Sequence, residues 1–203
     1  MNLLWNAAGA VDIDALEPGT TVQDLLDAID VFLQANPLDC TGCALSCCRR
    51  AWSVEVDNVS AGRLCGGQGA EVSCFVREKL MLKRNHALGF NQFVLNKTTD
   101  CHYILPDNRC GVYAVRPIIC RLYICGALSP RYNALRSAVG ATYLQALVLE
   151  EAQRADGAPV QAGNNPALSA RDYSLRLTDI LRYAAAQGWL EDEKREELLD
   201  REG

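Results

Sequence analysis

The chain has 203 residues, 49% of them hydrophobic, and a net charge of −5 from 20 Lys and Arg against 25 Asp and Glu; this length suits one domain, or one domain with a helical appendage. The acidic balance argues against nucleic acid as a main partner, because phosphate binding needs a basic face. No apolar run approaches the roughly 18 residues of a membrane span, and the opening MNLLWNAAGAVDIDALEPG lacks the basic start and long apolar core of a secretory leader, so a cytoplasmic protein is expected.

In residues 1–38 the clear element is an amphipathic helix from about Thr21 to Ala35, where Val22, Leu25, Leu26, Ile29 and Phe32 or Leu33 recur at helical spacing. Thr20 or Thr21 caps it, Asp24 lies in its first turn and Pro37 stops it. Residues 39–126 hold all ten cysteines and read as short elements. AWSVEVDNVS alternates Trp52, Val54 and Val56 with polar neighbours, as a half-buried strand does. FNQFVLN and CHYIL are further strands, and PDNR is turn chemistry that joins CHYIL to CGVYAV in a small hairpin with Cys101 and Cys110 near its ends. RLCGGQGAEVSC reads as a glycine-rich loop, followed by a short helix around Val76–Arg84.

Residues 127–203 have no cysteine and read as mainly helical. Leu135, Val139, Ala146 and Leu147 share a stripe on a helix from about Arg131 to Arg154, and GAPVQAGNNPA is a loop. Ser169 and Asp172 have the spacing of a capping box for a helix that runs to about Gln187, with Gly188 as its C-terminal cap. The charged tail EDEKREELLDRE reads as a solvated helix.

The cysteines carry the chemistry. Cys40-x2-Cys43-x3-Cys47-Cys48 is followed by Cys65-x8-Cys74 and then by Cys101-x8-Cys110-x9-Cys120-x4-Cys125. In a reducing compartment such clusters bind metal or catalyse more often than they form disulfides. A C-x2-C turn points two sulfurs at one ion, and a distant second pair commonly completes the four ligands. Adjacent side chains diverge, so Cys47 and Cys48 do not readily share one tetrahedral ion. A single zinc leaves six thiols unused, whereas two sites, or one cluster with accessory thiols, account for more of them. Pro117 fixes a rigid turn that aims Cys120 back toward the first motif. Arg116 and Arg121 flank this site, either to donate hydrogen bonds and offset thiolate charge or to pair with surface carboxylates; the same two readings apply to Arg49 and Arg50. His86, at an expected helix end, and His102 are read as surface or packing residues, and no hydrolase or phosphate-loop motif is present.

CTGCALSCC followed by CHYILPDNRCGVYAVRPIICRLYIC resembles the YkgJ-like CxxCxxCC-type cysteine-cluster family, a zinc- or iron-chelating domain, over residues 40–125. The resemblance rests on the Cys47-Cys48 doublet and on Cys101, Ile104, Cys110, Tyr113, Arg116, Pro117, Cys120 and Arg121 in family order. One departure is the gap of three residues before the doublet, where the family name implies two. The resemblance implies a cytoplasmic protein with a metal or iron–sulfur centre. The pattern is also distantly similar to that of flagellin lysine N-methylase, but no methyl-donor site is visible here.

The expected fold is therefore α+β: a small irregular cysteine-rich core with a short β-hairpin over residues 1–126, and a helical C-terminal extension over residues 127–203 packed on it. The expected metal ligands are Cys40, Cys43, Cys47, Cys48, Cys101, Cys110, Cys120 and Cys125, with Arg116 and Arg121 beside the bound group. The expected cofactor is an iron–sulfur cluster of the [4Fe–4S] type in a redox or enzyme-accessory role, with zinc as the alternative. A protein partner would dock on the C-terminal helices.

Overall fold

The computed structural model describes residues 1–37, 47–50, 53–95, 100–156 and 164–199. Strands β1 (Leu3–Trp5) and β2 (Val11–Ile13) form an antiparallel pair with Leu3 opposite Ile13 and Trp5 opposite Val11. Between them Asn6 accepts from the N–H groups of Ala8 and Ala10 at 3.0 Å, a side-chain turn that spares backbone acceptors. Helix α1 (Val22–Ala35) follows, and its apolar stripe is buried as the spacing predicts. Thr21 Oγ1 accepts from Asp24 N–H while Asp24 accepts from Thr21 N–H, a reciprocal capping box.

Helix α2 (Cys47–Arg50) is a single turn. Residues 53–57 then run beside β4 (Phe90–Leu95): Val56 N–H donates to Phe93 O and Leu95 N–H to Val54 O, each at 2.9 Å, and Glu55 bridges Val94. Trp52 lies outside the described residues, and over residues 53–57 the strand expected in AWSVEVDNVS is one bridge. Its last residues open helix α3 (Asn58–Cys65), because Asp57 caps the N-terminus by accepting from Ser60 N–H at 2.9 Å. Gly66, with φ +67°, ends α3 in the left-handed conformation that glycine adopts without penalty.

Helix α4 (Ala70–Lys79) leads directly into strand β3 (Leu80–Asn85), which pairs antiparallel with β4 from Leu80–Leu95 to Asn85–Phe90. Three expectations are corrected here. RLCGGQGAEVSC is not a continuous loop, since it supplies the end of α3 and the start of α4. The helix expected over Val76–Arg84 stops at Lys79, because Leu80–Asn85 is drawn into a ladder with β4. His86, expected at a helix end, lies instead in the turn of this hairpin.

The PDNR turn forms, with Leu105 N–H donating to Arg109 O and Gly111 N–H to Tyr103 O, both at 2.8 Å, but CHYIL is not the expected strand: Cys101 O accepts from Ile104 N–H in a turn, and only Ile104 bridges Cys110. A 3-10 turn (Tyr113–Val115) and the short helix α5 (Ile118–Arg121) carry the chain to α6 (Pro130–Asp156), α7 (Leu177–Ala186) and α8 (Asp192–Leu199). The helix expected to start at Ser169 begins only at Leu177; Ser169 itself has φ +64°. Residues 173–176 stay out of the helix because they bond to the start of α1. Tyr173 O and Leu175 O accept from Gln23 and Val22 N–H at 2.8 and 2.9 Å, and Leu177 N–H returns a bond to Thr20 O at 2.8 Å.

Over the described residues the chain is thus mixed α+β, with two small antiparallel sheets and a helical C-terminal region. The larger core cluster joins Val11, Leu25 and Ile29 to Tyr132, Leu135, Ile180 and Leu198, so α6 and α7 pack on α1 and β2. A second cluster of Val54, Val56, Val72, Phe75, Val76, Leu80 and Leu95 lies under the β3–β4 hairpin and touches α6 through Leu147. Among the described residues no helix is long and apolar enough to cross a membrane.

Candidate metal centre

Of the expected ligands, Cys40 and Cys43 lie outside the described residues, and Cys47 is placed only as the first residue of α2. Cys48, Cys101, Cys110 and Cys120 are half-buried and Cys125 is exposed, and no disulfide joins cysteines among the described residues.

The two motifs meet through the backbone. Cys101 N–H donates to Cys48 O at 3.0 Å, although 53 positions separate the two residues. Arg49 reinforces this junction: it pairs with Asp100, and its Nε donates to Asn108 Oδ1 at 2.9 Å. Asn108 has φ +66° at the tip of the PDNR turn, a left-handed position that Asn tolerates better than most residues. The doublet at the end of the first motif is therefore clamped to both the start and the tip of the Cys101–Cys110 turn.

Cys120 is positioned by a different set of contacts. Arg116 is extended (φ −58°, ψ 150°), as the following proline requires, and Pro117 O accepts from Cys120 N–H at 2.9 Å and Arg121 N–H at 3.1 Å. Ile118 N–H, two residues ahead of Cys120, donates to Asp57 Oδ2 and Ser60 Oγ, both at 3.1 Å. Asp57 has no exposed surface, and it also accepts from Tyr173 OH at 3.1 Å. The N-terminus of α3, the base of the Cys120 turn and the segment before α7 thus share one buried carboxylate. Cys101, Cys120, Cys65 and Tyr103 all pack against the second core cluster. Burial pushes the Tyr103 phenol up from its ordinary value, and a charge on nearby Cys101 adds to the shift.

Arg116 and Arg121 face the same carboxylate on α1. Arg121 donates to Asp30 at 3.2 Å, while Arg116 approaches it at 3.7 Å, near enough for charge attraction but too long for a hydrogen bond. The Arg116 guanidinium also stacks on the Tyr113 ring at 4.0 Å, and its buried Nε finds no hydrogen-bond partner among the described residues. Both arginines are nearly buried and share Asp30, whose side chain is 39% exposed, so of the two roles open to them the pairing with a surface carboxylate is the one observed.

Cys65 and Cys74 take local partners instead. Cys65 Sγ donates to Gly62 O at 3.5 Å and Cys74 Sγ to Glu78 Oε1 at 3.3 Å. His86 and His102 are exposed. Among the described residues no group of three or more His, Cys, Asp or Glu side chains is arranged around one point. Comparisons with family models, with curated proteins and with solved structures found no match.

Sequence reasoning passed over Asp57, Ser60 and Tyr173. Their sequence signal was faint: Asp57 stands where an N-cap stands, three residues before Ser60, but nothing local says that it reaches Ile118 or Tyr173.

Proposed function

We propose that this protein is a cytoplasmic cysteine-rich metalloprotein of the CxxCxxCC type, holding a [4Fe–4S] cluster between its two cysteine motifs in a redox or enzyme-accessory role. The observation that carries the proposal is the Cys101–Cys48 backbone hydrogen bond, which brings the end of the first motif to the start of the second. Thiolates from Cys40, Cys43, Cys47 or Cys48 and from Cys101, Cys110, Cys120 or Cys125 would hold the group. Such a group supplies one-electron chemistry when bound. The excess of cysteines over the four that one zinc needs favours a cluster.

The test is metal and acid-labile sulfide analysis, with an electronic absorption spectrum, on protein purified without exposure to air. A [4Fe–4S] centre gives about four iron and four sulfide per chain and a visible band that bleaches on reduction. Colourless protein with one zinc and no sulfide overturns the cluster in favour of a structural staple. Protein free of both metals after such a purification overturns the whole reading.

A further inference from the structure

The sheet of β1 and β2 is closed on one side only. Val11, in β2, bonds to the segment 127–129: its N–H donates to Ala127 O at 2.9 Å and its carbonyl accepts from Ser129 N–H at 2.8 Å. β1 has no such neighbour. Asp14 N–H donates to Asn2 O at 3.0 Å and Asn6 N–H to Ala10 O at 2.9 Å, so the even-numbered residues of this stretch turn their backbone groups toward β2. Alternation then turns the N–H and C=O of Leu3 and Trp5 to the opposite edge. No partner meets these groups there among the described residues. An open edge of this kind is a template for another strand.

β1 borders a groove of about 840 Å³ whose other wall is one stripe of α1. Asp24, Ala28, Val31 and Ala35 recur there at helical spacing, with Asp27 beside them, apart from the stripe that α1 buries. The groove is polarised along its length. Toward the C-terminal end of α1, Trp5 stands 5.3 Å from Phe32 and its Nε1 donates to Asn36 Oδ1 at 3.1 Å. Leu4, Trp5 and Val31 are 40, 47 and 65% exposed there. At the other end Glu17, Asp24 and Asp27 line the groove, and no Lys or Arg does. Among the described residues these carboxylates form no ion pair: Asp24 accepts from Thr21, and Asp27 from Gln23 Nε2 at 2.6 Å. The ammonium group of Met1 acts on Asp24 and offsets only part of this charge.

We propose that this groove binds an extended basic segment of a partner protein, which adds a strand to the Leu3–Trp5 edge, lays apolar side chains over Val31 and Trp5, and sets lysine or arginine against Glu17, Asp24 and Asp27. In this mode of recognition the backbone bonds to an open strand edge supply affinity, and the side chains along the walls supply the preference. Charge decides the occupant. A second copy docked through the same face would bring three more carboxylates to the acidic end, from a chain whose net charge is −5. A basic segment meets opposite charge instead. No cysteine lines the groove, so the inference stands apart from the metal centre.

Titration calorimetry on the full chain at low ionic strength tests it with the capped peptide KKTVTVKK, whose lysines at both ends suit either strand direction. This peptide should bind saturably, and EETVTVEE should not. Two isomers of the first peptide, N-methylated at its valines or at its threonines, separate strand addition from apolar contact. Only one set of alternate amides can face β1, so one isomer should bind about tenfold or more weaker than the other, the loss expected for missing backbone bonds. D27K and V31K should each weaken the parent peptide about threefold or more, through lost charge attraction and lost apolar contact. Both positions are exposed, and unchanged melting curves show that the variants fold. No saturable heat with KKTVTVKK, equal binding of EETVTVEE, equal binding of the two isomers, or full affinity in either folded variant overturns the proposal. So does a micromolar dimer of the chain that V31K dissociates, because the groove then holds a second copy.

Discussion

Replacing Asp57 by alanine tests how the fold positions Cys120. Asp57 accepts from Ser60 N–H at 2.9 Å, Ile118 N–H at 3.1 Å and Tyr173 OH at 3.1 Å, as well as from the Ser60 hydroxyl, all without solvent exposure. Loss of the helix cap costs about 1 kcal/mol. Ile118 N–H and Tyr173 OH keep Ser60 Oγ as a second partner, at 3.1 and 2.8 Å, so their loss is partial. It adds about 1–3 kcal/mol rather than the full cost of several orphaned groups. The total of roughly 2–4 kcal/mol lowers the melting temperature of a chain this size by about 4–16 °C. Calorimetric melting of D57A measures it, with S60A and the double variant closing a cycle whose coupling should exceed about 0.5 kcal/mol. A shift under about 2 °C, or strict additivity with S60A, refutes the claim that one buried carboxylate ties α3 to the Cys120 turn.

Other outcomes follow from the same geometry. T21A should cost about 1 kcal/mol in thermal melting through the α1 capping box. Hydrogen bonds from the Thr21 backbone and hydroxyl hold the Asp24 carboxyl below its ordinary value. Its contribution is therefore present above the unfolded value of about 4 and fades as pH falls through the lower folded value, so D24N should flatten the acid limb of the stability curve. Burial raises the phenols of Tyr132, Tyr143 and Tyr173. Stability should hold below the unfolded tyrosine value near pH 10 and fall as pH rises above it, read by urea midpoints along a pH series. R49A should change stability by less than about 1 kcal/mol, because its pair with Asp100 is exposed. It should nevertheless speed metal loss to a chelator by loosening α2; an unchanged rate contradicts the clamp.

What the sequence made legible was whatever local chemistry decides. The stripe and cap of α1 were readable because five apolar positions at helical spacing and a Thr-x-x-Asp signature agree. β4 was readable from its own residues, but β3 was not: in LMLKRN only Leu80 is buried, and strand conformation there comes from the ladder with β4. The Ser169–Asp172 spacing misled for a similar reason. Asp172 accepts from Ser174 in a local turn, and the chain beyond is kept out of a helix by its backbone bonds to the start of α1. Likewise, the two cysteine motifs are expected to meet around a metal, but the backbone bond between Cys48 and Cys101 and the Arg49 clamp depend on a fold no single motif reveals. The Asp57 network was illegible because its partners lie 61 and 116 positions away.

The central claim is that thiolates of both motifs share one inorganic centre. Metal content per chain in C43S and C120S, each purified anaerobically beside the unaltered protein, tests it most directly. The account predicts that either substitution alone strips the centre while the far motif is intact. Full metal retained in either folded variant would contradict it.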